Sequence, residues 1–314
     1  MRNTLLLITI SILTLSECNA LQQIEFTDEN SVLDFYCQYS SYTNPGKYEY
    51  LYENLPDSLP ELCKLIKSQF IHPYAELPKY SEQIPKERWK EYIKYPTVKS
   101  ILKGLHSYDS SGLVNNRKLE DRLILICRHN AILLASILKH RGIPTRVRAG
   151  YATYLAQGFH VNHAICEVWN KNDKRWMLVD PSMDMIDFNK KKFDFGSDAW
   201  LKMQQNEIDS NLYGVPGRYT GYLSILAILN TDLASILGNE YTTYQYAPML
   251  ANARKNNNQL SDKDELTLDK ISELMKNPDA KNLLKLQELY NSTPEVQITE
   301  SFINKTLSEE SSDK

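Results

Sequence analysis

In the middle of the chain, apolar positions recur with helical spacing and then give way to strand-forming runs. Ala131, Leu134, Ala135 and Leu138 fall at i, i+3, i+4 and i+7, which places them on one face of an α-helix. Cys127, four residues before Ala131, sits on or near that face at the N-terminal end. Lys139, His140 and Arg141 suit the negative end of the helix dipole, Gly142 suits the C′ position, and Pro144 cannot continue the helix. Residues 161–169 and 175–181 are rich in β-formers, and Asn170-Lys171-Asn172-Asp173 between them is turn chemistry. The pattern predicts a helix, a strand and then a hairpin. If Trp169 pairs with Lys174 around the four-residue loop, Glu167 faces Trp176, Ile165 faces Leu178 and His163 faces Asp180. Directly opposed residues have Cβ atoms roughly 4.5–5.5 Å apart, close enough for an imidazole–carboxylate hydrogen bond. A slip of one residue would put the two on opposite faces.

The flanks read as helical. In the N-terminal region, 21–110, Glu29–Cys37 is a short mixed segment. Ser58 caps a helix with Pro60 in its first turn and Leu62, Ile66 and Phe70 on one face, ended by His72-Pro73. Lys86–Lys94 is a short basic helix candidate, read as a solvated face, and Thr97–Leu105 another helix. The core spans 111–197, closing on a Lys-rich, Phe-containing loop from Phe188 to Ser197. Helices are expected over 199–206, 222–237, from a cap at Ser261 to about Lys276, and over 279–290, within a C-terminal region of 198–290. Residues 291–314 are polar and acidic, the composition of a disordered tail.

The order Cys127, His163, Asp180 is what a thiol nucleophile with a base and an orienting carboxylate requires. A helix N-terminus favours thiolate over thiol, and thiolate is the reactive form. Each residue alone has a plainer reading: a buried helix cysteine, a satisfied strand histidine, a turn aspartate before Pro181. Their joint occurrence favours catalysis. A zinc site at His160, His163 and Cys166 is disfavoured, because on a strand neither His160 nor Cys166 shares a face with His163, and no Cys-x-x-Cys pair accompanies them. Cys166 is read as packing, Glu167 as an exposed strand position, and Arg128, Arg146 and Arg148 as solvated charge. No cofactor or metal is called for. The formal net charge of −3 carries no nucleic-acid footprint, and 42% hydrophobic residues in 314 suffice for a sizeable core.

These residues resemble the transglutaminase-like superfamily, including its bacterial members. The likeness rests on Cys127-Arg128, the Ala and Leu positions of the helix, Gly142-Ile143-Pro144, Arg146, Gly150-Tyr151, His163-Ala164 with Glu167 and Trp169, and Trp176 with Asp180-Pro181. It implies an α+β, papain-like core: a central helix against a small antiparallel sheet, with helical N- and C-terminal extensions. It also implies a cysteine hydrolase or acyl transferase acting on an amide of a protein or peptide substrate. Cys127 would be the nucleophile, His163 the base and Asp180 the orienting group, with the Cys127 N–H as an oxyanion donor. One departure is Leu125, where the family often has glycine. The alternative is a binding module that keeps the fold without catalysis.

Residues 1–20 read as a signal peptide: Arg2, an apolar run from Leu5 to Leu15, and a small-x-small pattern at Cys18-Asn19-Ala20. The run falls short of the ~20 residues of a spanning helix. The chain is therefore expected to be exported, periplasmic or extracellular. In a second reading Cys18 is a lipid anchor, the one route to a membrane, although Glu17 before it is atypical. An N-terminal mass starting at Leu21, against one carrying a lipidated Cys18, separates the two. Of the five cysteines, Cys37, Cys63 and Cys166 remain once the leader and a free Cys127 are set aside. By elimination Cys37–Cys63 is the favoured disulfide, with two buried thiols as the plainer reading.

Overall fold

In a computed structural model that describes residues 25–242 and 247–298, the apolar run Leu123 to Ile126 is a buried extended segment that stops the chain from entering a helix early. Phe70–Ile71 (β1) pairs in parallel with Leu123–Ile124 (β2), matching Phe70 with Leu123 and Ile71 with Ile124. The Leu125 N–H continues the ladder to the Ile71 carbonyl at 3.1 Å. On the other edge the Ile124 N–H donates to the buried Glu91 carboxylate at 2.7 Å, which Arg88 also binds. With its backbone groups satisfied in this extended form, the segment turns helical only at Cys127.

Before this segment lie α1 (Glu29–Cys37), α2 (Leu59–Ser68) and α3 (Val98–Tyr108); after it come α4 (Cys127–His140), β3 (Thr145–Ala156), β4 (Phe159–Asn170), β5 (Arg175–Asp180), β6 (Met185–Ile186) and β7 (Phe193–Phe195). The chain then forms α5 (Gly196–Gln204), β8 (Tyr213–Val215), β9 (Tyr219–Thr220), α6 (Tyr222–Ile236), α7 (Pro248–Lys255), α8 (Asp262–Met275) and α9 (Ala280–Ser292). The main sheet runs β6-β5-β4-β3-β7, antiparallel throughout, and β8 adds to β4 in parallel with β9 beyond it. This is the expected α+β architecture. Val147, Cys166, Val168 and Val179 pack with α4, α2 and α3, while Ile165, Leu178, Phe193 and Phe195 form a cluster of their own. A further core joins α1, α5, α6, α8 and α9 to Ala149 and Tyr151 of β3.

Helix starts follow their caps: Ser58, Thr97, Ser261 and Asp279 each accept a backbone N–H of the first turn. Gly142 takes φ +67° just beyond α4, a conformation that costs glycine nothing. Gly150 serves close approach instead, since a Cβ there would lie 2.2 Å from the Asp194 carbonyl of β7.

Several expectations need correction. Glu29–Cys37 is a helix, and Lys86–Lys94 forms two 3-10 turns. The expected 188–197 loop contains strand β7, because Phe193 and Phe195 alternate with Asp194 and both bury on the sheet. The tail expected from residue 291 keeps its structure to 298, with Val296 and Ile298 buried; residues beyond 298, like the leader and Cys18, lie outside the described residues. Cys37 and Cys63 are not bonded: the Cys63 thiol is buried in the core, and the Cys37 thiol donates to the Gly142 carbonyl at 3.5 Å.

Glu167, Arg146 and Arg148 are buried, not solvated. The Glu167 Oε2 accepts from Arg146 Nε at 2.7 Å and Arg148 Nη1 at 2.6 Å. Arg148 also holds Asp232 of α6 through two bonds of 2.9 and 2.8 Å, and the Asp232 Oδ1 accepts the Ala149 N–H. Two cations and two carboxylates thus tie α6 to the sheet with their charges balanced. Burial would raise the Glu167 pKa, but the two arginines outweigh it and hold it at about 2. Its stabilisation is therefore full above its ordinary value of 4.5 and is lost as pH falls toward 2. Glu167→Gln leaves an uncompensated buried cation and should cost about 3–5 kcal/mol in urea unfolding; a loss within about 0.5 kcal/mol, as at an ordinary surface position, would contradict this account.

Candidate active site

The hairpin register differs from the expected one by two residues. Asn170 pairs with Arg175, Trp169 with Trp176 and Glu167 with Leu178, so the loop is 171–174. Lys174 takes φ +49°, which removes it from the ladder, and the Asn170 Oδ1 caps the loop by accepting the Asn172 and Asp173 N–H groups. A shift of two keeps every side chain on its face, since the strand period is two. His163 and Asp180 therefore still share a face, diagonally instead of directly opposed. Diagonal neighbours are ~7–8 Å apart at the backbone, within reach of a long side chain. The His163 Nε2 meets the Asp180 Oδ2 at 2.8 Å.

Asp180 is fully buried and fully partnered. Its Oδ2 also accepts the Tyr154 hydroxyl at 2.7 Å, and its Oδ1 accepts the N–H groups of Ser182 at 2.9 Å and Met183 at 3.2 Å, in the turn that follows Pro181. Burial would raise the Asp180 pKa, but His163, Tyr154 and the Ser182 N–H bring it below the ordinary carboxylate range. The imidazole is held from one side by this carboxylate. With Nε2 so engaged, Nδ1 is left for the thiol.

Cys127 meets that ring from the first turn of α4, and the two line the same cleft. Ile126, at φ −89° and ψ 169°, is an N-cap with no side-chain acceptor, so the N–H groups of the first turn are left without a side-chain cap beside the thiol. Burial would raise the Cys127 pKa, but the charge and hydrogen bond of His163, with a smaller contribution from His72, lower it to about 5. Burial likewise opposes the charge on His163, but Asp180 and the Cys127 thiolate raise it to about 10. Between those values the pair is thiolate and imidazolium. Cys37, Cys63 and Cys166 shift upward, chiefly through burial.

All three expected site residues thus come together. Two neighbours went unnoticed in the sequence. Tyr154, on β3, was one tyrosine among 20, with no local mark setting it apart. His72 looked like a helix end; it follows β1, and the β1–β2 pairing carries it to the start of α4. The same pairing accounts for Leu125, a buried residue just past β2 whose N–H ties it to the Ile71 carbonyl. His160 stays apart, stacked on Tyr213 at 4.0 Å and 3.4 Å from Asp194, and the Cys166 thiol donates to the Ala131 carbonyl. A cleft of about 540 Å³ opens over Cys127, His163 and His72, walled in part by Phe70, Leu155, Val161 and Met183.

A cysteine at a helix start, a strand histidine and a buried aspartate on a small antiparallel sheet make a papain-like arrangement. Residues 117–181 match the family model of the transglutaminase-like superfamily. A search of curated proteins gives no match. Among solved structures, the chain is similar to a proposed cysteine protease from Cytophaga hutchinsonii, at 21% identity and a TM-score of 0.19, over 42% of this chain and 45% of that one. The chain therefore spans under half the length of that protein.

Limiting iodoacetamide near neutral pH should modify Cys127 before the other cysteines, at a rate that holds down to about pH 6 and falls through about 5. His163→Ala should abolish this low-pH reactivity, and Asp180→Ala should weaken it less. Peptide mapping of the alkylated protein checks this; reaction first at Cys37, or a Cys127 rate that ignores His163→Ala, would count against the ion pair.

Proposed function

We propose that this protein is a cysteine hydrolase or acyl transferase that acts on an amide bond of a protein or peptide substrate. The observation that carries the reading is the buried line from Asp180 through His163 to Cys127, with the thiol driven to thiolate. In the first half-reaction the thiolate attacks the amide carbonyl and forms a carbon–sulfur bond. The Cys127 N–H, at the start of α4, supports the oxygen as it becomes anionic. His163 then protonates the departing amine, the carbon–nitrogen bond breaks, and a thioester remains. In the second half-reaction His163 takes a proton from the acceptor, which attacks the thioester and releases the thiolate. Asp180 holds the ring orientation and favours its charged form throughout.

Water as acceptor gives a peptidase or amidase, and an amine gives a transglutaminase. The apolar walls of the cleft suit a peptide side chain flanking the reacting carbonyl. In this reading the protein acts outside the cytoplasm, after export directed by residues 1–20.

Incubation with a glutamine-rich protein and a labelled amine, read by mass spectrometry, tests the proposal, because cleavage, deamidation and amine incorporation each leave a distinct mass change. One of the three should appear with the wild type and vanish in Cys127→Ala. Asp180→Asn should lower it by about 10⁴-fold, as loss of the orienting carboxylate does in related triads. Absence of all three across varied protein substrates would favour the binding-module reading.

A further inference from the structure

Two imidazoles flank the Cys127 thiol, and their outer nitrogens have opposite partners. His163 is backed by a carboxylate, so a proton on its inner nitrogen is stabilised. His72 is backed by donors. Its Nδ1 accepts the Tyr74 N–H at 3.3 Å and the Ala75 N–H at 3.2 Å. A ring nitrogen that accepts carries no hydrogen, so the hydrogen of His72 is on Nε2, the atom left to face the thiol. Toward Cys127, on the same cleft, that nitrogen can therefore only donate. It presents no lone pair there and cannot take the proton of the thiol, which leaves the base role to His163 alone.

The ring is also fixed in place. The His72 N–H donates to the Glu76 Oε2 at 2.8 Å, and the His72 carbonyl accepts the N–H groups of Glu76 and Leu77, each at 3.0 Å. Behind it, the β1–β2 ladder joins the strand before His72 to the strand before Cys127. The donor is thus set before any substrate arrives, on the side of the thiol reached from β1, and it lines the cleft with Cys127 and His163. When a carbonyl carbon bonds to the sulfur, its oxygen becomes a substituent of the same atom as the sulfur. A donor that rests on the thiolate then lies beside that oxygen.

We propose that His72 is a catalytic residue: its Nε2–H is the second oxyanion donor, partnering the Cys127 N–H, and stabilises the negative oxygen formed when the thiolate attacks a carbonyl. The inference rests on the acyl-transfer reading above and adds a donor from outside the Cys-His-Asp line. A preorganised donor of this kind is worth about 10²–10³ in rate, because it acts on charge that develops only in the transition state.

The test compares two reactions of Cys127 in the full-length protein. Acylation by p-nitrophenyl acetate passes through a tetrahedral oxyanion; alkylation by iodoacetamide does not. Both scale with the thiolate fraction, so the ratio of their rates isolates the oxyanion. His72→Ala should lower that ratio about 10²-fold, and His72→Gln, which restores an N–H donor, should recover most of the loss. Retained iodoacetamide reactivity in each variant shows that the site has folded. If His72→Ala slows both reactions equally, or neither, the donor role is wrong. If the wild type is alkylated at Cys127 but never acylated there, the acyl-transfer reading fails and this inference with it.

Discussion

The buried bond between His163 and Asp180 is the constraint on which the site depends. A carboxylate with no exposure is costly unless its oxygens are satisfied, and Asp180 meets that requirement with four donors: the imidazole, the Tyr154 hydroxyl and two backbone N–H groups. The charge so stabilised is passed on. It favours the imidazolium, which in turn favours the Cys127 thiolate in a place where burial alone would keep the thiol neutral. The hairpin supplies Asp180 and His163, and the start of α4 supplies Cys127.

A second buried charge cluster shares strand β4 and extends to β3 and α6. Glu167 is four residues beyond His163 on β4 and shares its face, yet it serves a different purpose: with Arg146, Arg148 and Asp232 it fastens α6 to the sheet. One face of the hairpin therefore holds two carboxylates with distinct partners. Asp180 is matched to a titratable imidazole, whose charge changes with proton transfer while the carboxylate stays ionised. Glu167 is matched to guanidinium groups that stay charged, and it is fixed.

Much of the site was legible in the sequence because it is built from local periodicity. The helix from Cys127 to His140, its stop at Gly142 and the turn chemistry after Asn170 are all short-range signals, and they brought Cys127, His163 and Asp180 to one region. The face shared by His163 and Asp180 survived a wrong register because two-residue shifts preserve parity. The register itself depended on Lys174 entering the left-handed region, which its residue type does not announce. Arg146, Arg148 and Glu167 read as surface charge, since burial of a balanced cluster depends on Asp232, over 60 residues further on. His72 was invisible for a related reason. A two-residue parallel pairing has no sequence pattern, and it alone joins His72 to the neighbourhood of Cys127.

The central claim is that Cys127 rests as a thiolate paired with imidazolium. Thiolates absorb in the ultraviolet and thiols do not, so the difference in absorbance between the wild type and Cys127→Ser, followed against pH, reports this charge directly. The account predicts a step at about pH 5 that moves upward when His163 is replaced by alanine. A step near the ordinary thiol value of about 8.5, unmoved by that replacement, would contradict it.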